Sequence, residues 1–140
     1  MLDWDENSEK VSKLSKDLEK AQSLLKLVEL REQDLVAKRE EFVTLIIEGY
    51  YEIIKELITA IMAIDGWKTV SHELLVGYLA RFYHREFFSS EIQFIDQLRK
   101  IRNDIDYRGI MVNVGYLRRN KQPILDIITK LKQTVQKKLT

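Results

Sequence analysis

Apolar and polar residues alternate along most of the chain with a period of three to four, which is the pattern of amphipathic helices. We expect residues 1–7 to be a frayed lead-in, with Ser8 as an N-cap candidate for the first helix. The apolar positions of this helix are Val11, Leu14, Leu18, Ala21, Leu25 and Val28. No proline or glycine lies between Arg31 and Lys38, so the end of the helix is unmarked, and we place a turn there.

The most apolar segment predicts a second helix that is central and most deeply buried. Its apolar residues follow the helical period from Phe42 through Leu45 to Ile64, and its last two turns are apolar on nearly every side. Gly66 follows directly, and glycine is the residue that best adopts the left-handed conformation of a helix C-cap. We therefore expect the helix to end at residue 65.

The second half of the chain predicts two more helices before residue 110. The third helix runs from Ser71 to about Tyr83, with its apolar residues on one face. Ser90, followed three residues later by Gln93, has the spacing of a capping box and predicts the start of the fourth helix. That helix ends near residue 107 or 108, because Gly109 lies just past it.

The fifth helix carries apolar residues from Ile124 to Val135. Pro123 suits the first turn of a helix, so residues 113–122 form either a separate short helix or a kinked extension. Five helices joined by short turns predict an all-α, up-and-down bundle, with residues 1–140 as a single domain.

Composition agrees with a globular helical chain. Hydrophobic residues make up 45% and charged residues 32% of the 140 positions, with only five glycines and one proline to make turns. The absence of cysteine excludes disulfides and thiolate metal sites. The first residues lack a signal-peptide pattern, and the apolar run Leu57–Ile64 is too short to cross a membrane. We expect a cytoplasmic protein with no membrane partner.

Charge is distributed unevenly along the chain. Residues 99–140 contain 11 Lys or Arg against 3 Asp or Glu, giving +8, whereas residues 1–98 contain 12 against 19, giving −7. A basic C-terminal third can attract nucleic acid, and Arg118, Arg119 and Lys121 are its densest cluster. Alternatively, the acidic and basic parts pack against each other within a chain or between subunits.

Few residues fit a metal or cofactor site. The two histidines, His72 and His84, lack a glutamate three residues earlier, so the pattern of a carboxylate-bridged di-iron centre is missing. Glu48, Glu52 and Glu56 share one helix face, which we expect to be solvated. There is no glycine-rich phosphate loop and no nucleophile elbow. The sequence therefore predicts no metal site and no cofactor.

The stretch "RKIRNDIDYRG", residues 99–109, places a dense polar cluster at the end of the fourth helix. Arg99, Arg102, Asn103 and Asp106 fall on one flank of that helix, whereas Arg102 and Tyr107 are roughly 140° apart on an ideal helix. Those two converge only if the helix ends near Tyr107 or a second subunit supplies its own copy. The simpler alternative is an i,i+4 ion pair between Arg102 and Asp106, with Asn103 helping to cap a helix end.

Three blocks of the sequence resemble the HEPN superfamily (higher eukaryote and prokaryote nucleotide-binding domains). They are "YYEIIKELITAIMAIDGWKT", similar to the family's central helix and glycine turn, "SHELLVGYLA", similar to its His-containing third helix, and "LRKIRNDIDYRG", similar to its motif. The resemblance spans residues 50–107. The family motif is an Arg, a following Asn, and a His four residues after the Asn. Arg102 and Asn103 match it, but Tyr107 stands where the family has histidine.

The resemblance implies a homodimer with the motif at the interface, where active members form a composite, metal-independent ribonuclease site. It implies catalytic roles for Arg102, Asn103 and Tyr107. Arg102 would stabilise the charge of the phosphorane, but a Tyr with an unperturbed pKa near 10 is a poor base. Residues for binding RNA or a nucleotide would be Arg99, Arg108, His72, Arg118, Arg119 and Lys121.

Two functions remain open on this basis. In the first, the chain binds RNA or a nucleotide, with ribonuclease activity as an option, and is the toxin-like half of a toxin–antitoxin pair with a minimal nucleotidyltransferase. In the second, it is a catalytically inactive interaction or scaffold module whose polar cluster only sets the register of a dimer. The basic C-terminal third favours the first function, and Tyr107 favours the second.

Overall fold

The computed structural model describes all 140 residues and contains five helices, as the hydrophobic pattern predicts. The helices are α1 (Leu18–Ala37), α2 (Val43–Asp65), α3 (His72–Phe82), α4 (Ser89–Arg108) and α5 (Val114–Leu139). A single 3-10 turn, Glu40–Phe42, precedes α2, and two three-residue strands, β1 (Val11–Lys13) and β2 (Trp67–Thr69), pair antiparallel. The prediction of an all-α helical bundle is confirmed. None of the helices is long and apolar enough to cross a membrane.

Helix α2 lies at the centre of the bundle and packs against α1, α3, α4 and α5. Its buried residues include Ile53, Ile54, Leu57 and Ile61, all less than 1% exposed. The helix ends at Gly66, whose φ of +91° lies in the left-handed region, as its position predicted. Gly109 ends α4 in the same way, with φ of +64°.

The first helix begins about ten residues later than the sequence pattern indicates. Ser8 caps a turn by accepting a hydrogen bond from the Lys10 N–H, and β1 follows it. The helix itself starts after Asp17, whose carboxylate accepts a hydrogen bond from the Lys20 N–H. The prediction failed because residues 11–13 find long-range backbone partners in β2, and these hydrogen bonds replace those of a helix.

The N-terminal residues are packed, although the sequence indicated a frayed lead-in. Trp4 lies edge-to-face against Trp67 and Tyr78, with ring centroids 5.6 and 4.9 Å away. The segment approaches α3 closely at Gly77, where a Cβ atom would lie 2.3 Å from the backbone oxygen of Leu2. The absence of a side chain at Gly77 therefore makes room for this segment.

Helix α4 does not start at its predicted cap, whereas the start of α5 agrees with one of the two predicted alternatives. Helix α4 is capped by Glu91, whose carboxylate accepts a hydrogen bond from the Phe88 N–H at 2.9 Å, so the capping box predicted at Ser90 and Gln93 is wrong. Helix α5 starts at Asn113, whose side-chain oxygen accepts from the Tyr116 N–H. Pro123 lies inside this continuous helix, which excludes a separate short helix before it.

Candidate functional site

The polar end of α4 forms an ionic cluster with α2. The Arg102 Nε atom lies 3.0 Å from Asp106 Oδ2, one turn along α4, and 3.4 Å from Glu52 Oε1 of α2. The Arg102 side chain is only 19% exposed. Its Nε–H makes no well-oriented hydrogen bond, so the attraction is mainly electrostatic. The simpler reading of the motif, an i,i+4 pair, is therefore present, and Glu52 adds a second carboxylate to it. We call Glu48, Glu52, Arg102 and Asp106 the Arg102 cluster.

Glu48 is the titratable member of the Arg102 cluster at neutral pH. A hydrogen bond with Asp106, partial burial and the negative charge of Asp106 raise the pKa of Glu48 to about 7, against the opposing effect of Arg102. Two carboxyl groups held this close favour sharing one proton. The charge of the cluster therefore changes within the physiological pH range.

His72 lies at the start of α3 and faces the same region. Its Nδ1 atom is 3.3 Å from the hydroxyl of Tyr51, a buried residue of α2. Burial, followed by the positive charge of Arg102, lowers the pKa of His72, so the ring is neutral at pH 7. Burial also raises the pKa of Tyr51, which keeps its hydroxyl protonated. Arg102 therefore lies close enough to His72 for its charge to act on the ring.

The glutamates of α2 do not form a solvated face, contrary to the sequence expectation. Glu56 is 6% exposed, and both of its oxygens lie 2.9 Å from the Arg31 Nε of α1. Glu52 pairs with Lys55 at 2.6 Å as well as approaching Arg102. These carboxylates connect α2 to its neighbours, because each faces a cation from an adjacent turn or helix.

Tyr107 does not converge with Arg102 in one chain. Helix α4 continues through Arg108, so the two side chains leave the axis roughly 140° apart. Tyr107 is 79% exposed, whereas Arg102 is largely covered. Asn103 is half-buried, and the exposed Arg108 pairs loosely with Asp104 at 3.6 Å. The motif residues therefore do not form a complete catalytic site within one subunit.

Arg99 occupies an internal ion pair. It is 5% exposed, and its Nε donates to Asp96 Oδ1 at 2.8 Å, with Glu73 at 3.9 Å. Burial acts to raise the pKa of Asp96, but Arg99 outweighs it and holds that pKa below its ordinary value. The Arg99 guanidinium is therefore already paired within the chain, where it links Glu73 of α3 to Asp96 of α4.

Several cations of the basic C-terminal third already form ion pairs with carboxylates of the acidic part. Ion pairs join Lys130 to Glu91 at 2.7 Å and Lys132 to Glu32 at 2.9 Å. Arg118 binds Glu40 through two hydrogen bonds of 2.7 and 3.1 Å. Arg119 and Lys121 remain exposed on the same end of α5. The acidic and basic parts of the chain therefore pack against each other, which was one of the two interpretations of the charge distribution.

An exposed apolar surface lies beside the end of α4, and the sequence did not indicate it. We call it the α4 patch. Phe42, Leu45, Ile110 and Met111, which are 40–78% exposed, line a cavity of about 370 Å³ together with Ile105. Phe42 and Leu45 follow the apolar period of α2 and were expected in the core. The only sequence signal for the patch was the apolar pair Ile110–Met111 directly after Gly109.

No group of three or more His, Asp or Glu side chains is placed to hold a metal ion. No protein-family model, no curated protein and no solved structure matches the chain. The resemblance to the HEPN superfamily therefore rests on the three sequence blocks alone.

Proposed function

We propose that the chain is a HEPN-like domain that forms a two-fold homodimer and binds RNA or a nucleotide in the cleft between two copies of α4. The observation that carries this proposal is the α4 patch, which leaves four large apolar side chains exposed next to the Arg102 cluster. Contiguous apolar surface of this kind is a common mark of an interface.

A second copy of the chain is the occupant that fits this patch best. A closed two-fold interface brings each surface against itself, and apolar area flanked by charges of both signs can be complementary to itself. The end of α4 supplies both, with Arg102 and Arg108 alongside Asp104 and Asp106. In such a dimer the exposed Tyr107 of one copy can approach Arg102 of the other, which does not happen within one chain.

Arg102 is the group that would bind phosphate in this cleft. Its planar guanidinium matches the geometry of phosphate oxygens, and an incoming phosphate would replace Asp106 as its anionic partner. Protonation of Glu48 removes one negative charge beside it, which favours that exchange. For ribonuclease activity, the 2′-hydroxyl would lose its proton to water and attack the adjacent phosphate without a metal, and Arg102 would stabilise the charge on the phosphorane. The P–O5′ bond would then break and the 5′-oxygen would take a proton from Tyr107, leaving a 2′,3′-cyclic phosphate and a 5′-hydroxyl. By family resemblance, a minimal nucleotidyltransferase is the partner protein.

A second candidate is a catalytically inactive interaction module. One specific observation favours it: Arg102 is already neutralised by Glu52 and Asp106, so it has two anionic partners without a ligand. In that case the α4 patch would still form a dimer, and the Arg102 cluster would set its register.

The test combines oligomeric state with RNA binding. Sedimentation at tens of micromolar should show a dimer, and Leu45→Glu should convert it to a monomer. Leu30→Glu is the matched control, because Leu30 is a 63% exposed leucine on α1, outside the patch. The wild-type protein should then bind or cleave mixed RNA in the presence of a chelator. A monomer that neither binds nor cleaves RNA would contradict the proposal, whereas a dimer inert towards RNA would favour the interaction module.

A further inference from the structure

A groove lies between the end of α1, the start of α2 and the first turns of α5, separate from the α4 patch. Its volume is about 600 Å³, within the range of roughly 300–1,000 Å³ typical of pockets for small molecules. The floor is apolar, formed by Leu35, Ile46, Leu117 and Leu125. The groove can therefore shelter the apolar body of one small molecule.

The rim of the groove is positively charged. Three cations, Lys38, Arg118 and Lys121, line it with a single carboxylate, Glu40, giving a net charge of +2. Glu40 binds Arg118 across the mouth, and Lys38 pairs with Asp34 at 2.7 Å. Lys121 is exposed and takes part in no ion pair of the chain. An anionic group at this rim would complete the charge balance around Lys121.

Tyr50 supplies a polar group within the apolar wall. The residue is 7% exposed and lines the groove, and its hydroxyl has no hydrogen-bond partner within the chain. Burial, followed by the nearby charge of Glu32, raises the pKa of Tyr50. The hydroxyl therefore remains a hydrogen-bond donor at neutral pH. The hydroxyl is not one of the buried polar atoms that lack a partner, so it is open to the groove and available to a ligand that accepts a hydrogen bond.

We propose that this groove binds a small amphipathic anion, in which an aliphatic or aromatic body of about ten carbons carries one carboxylate, sulfonate or phosphate. The body lies on the leucines of the floor, and the anion accepts a hydrogen bond from Tyr50 while facing Lys121. The ligand is a free small molecule, because the volume fits one such body. This site shares no lining residue with the Arg102 cluster, and it shares Arg118 and Lys121 with the basic end of α5 that is tested for RNA binding.

The experiment is a fluorescence titration of the full chain with 1-anilinonaphthalene-8-sulfonate, a fluorescent amphipathic anion, followed by displacement. We expect saturable binding of one dye per chain, displaced by decanoate at concentrations at least tenfold lower than by decanol, and not by inorganic phosphate. Tyr50→Phe should weaken binding roughly tenfold, as loss of a hydrogen bond to a charged group does. Lys121→Gln should weaken it roughly threefold, because that charge is exposed.

Two controls separate the groove from other surfaces. Lys68→Gln removes an exposed lysine on β2, outside the groove, and should leave the dye affinity unchanged. Leu125→Trp fills the floor and should abolish saturable binding while the circular dichroism spectrum stays that of the wild type. Equal displacement by decanol and decanoate, or dye affinity unaffected by both Tyr50→Phe and Lys121→Gln, would overturn the proposal. If a short RNA displaces the dye and decanoate does not, the cations of the rim bind nucleic acid instead.

Discussion

Arg102 and Asp106 form an ion pair one turn apart on α4, with the guanidinium Nε 3.0 Å from the carboxylate. The pair lies at the point where the resemblance implies a phosphate-binding arginine. Because Glu52 approaches from α2, the arginine has carboxylates on two helices. Mutations at Arg102 therefore distinguish a role in the fold alone from an additional role in binding a ligand.

Replacing Arg102 with alanine should abolish RNA or nucleotide binding at a cost of about 1–3 kcal/mol in the free energy of unfolding, with the fold retained. The cost arises because Arg102 is only 19% exposed and its loss leaves Glu52 and Asp106 without their cation. Arg85→Ala is the control, since Arg85 is exposed and belongs to no ion pair. Binding by a filter or anisotropy assay and unfolding by urea measure the two effects. If Arg102→Ala binds RNA as the wild type does, the arginine has a structural role only.

The two versions of the functional proposal diverge at Tyr107. If its hydroxyl transfers a proton, Tyr107→Phe should eliminate cleavage of RNA, and Tyr107→His should preserve or raise it, because His restores the family motif. Neither change should affect stability by more than about 0.5 kcal/mol, since the side chain is 79% exposed. Gel analysis of RNA incubated with each variant in the presence of a chelator measures the cleavage. Full-rate cleavage by Tyr107→Phe would remove this residue from the mechanism.

Glu48 should make the stability of the fold depend on pH. Its pKa is about 7 in the folded chain against an ordinary value of 4.5, so the folded state holds a proton that the unfolded state has lost between these values. The contribution of Glu48 to stability is thus complete below pH 4.5 and is lost as pH rises to 7. Relative to Glu48→Gln, the wild type should lose stability across this window.

The pH experiment compares the urea midpoints of the two proteins at each pH. Burial also lowers the pKa of His72, and taking the difference between the two proteins removes its contribution to first order. A difference that stays constant from pH 4.5 to 8 would show that Glu48 does not share a proton with Asp106.

Gly77→Ala should release the N-terminal segment from α3. The new methyl group would meet the Leu2 backbone oxygen, which cannot move aside like a flexible side chain. We expect a loss of about 1–3 kcal/mol in the free energy of unfolding and a red shift of Trp4 emission as the indole becomes exposed. Gly115→Ala is the control: its methyl group would lie 3.1 Å from the flexible end of Arg119 and 3.2 Å from the Asn113 side-chain oxygen, so small shifts of side chains accommodate it and its effect should be well below that of Gly77→Ala.

Nucleic-acid binding through the basic end of α5 should depend steeply on salt. Simultaneous charge reversal of Arg118, Arg119 and Lys121 should flatten the slope of affinity against salt, since fewer counterions are released. Arg118 should contribute least of the three because Glu40 already neutralises it. If the protein binds no RNA even at low salt, these residues act only at the rim of the groove and in ion pairs within the chain.

Local patterns along the chain determined most of the helices of this protein. The period of apolar residues from Val43 to Ile64 was enough to predict α2, because a helix surrounded by neighbours must be apolar on most sides. Gly66 and Gly109 marked two helix ends, since their left-handed conformation is costly for other residues. The i,i+4 spacing likewise anticipated the pair between Arg102 and Asp106.

Contacts between distant residues were decided only by the tertiary structure. Residues 11–13 continue a helical pattern, yet they pair with β2, and the reason lies some 55 residues away in the chain. The sequence predicted that Glu48 and Glu52 lie on a solvated face, yet α4 places Arg102 and Asp106 opposite them. Leu45 fits the apolar period of α2 but stays exposed, because the segments that bury Val43, Ile46 and Ile47 leave its side chain uncovered. Periodicity reports which residues share a face, whereas the packing of other segments determines what that face meets.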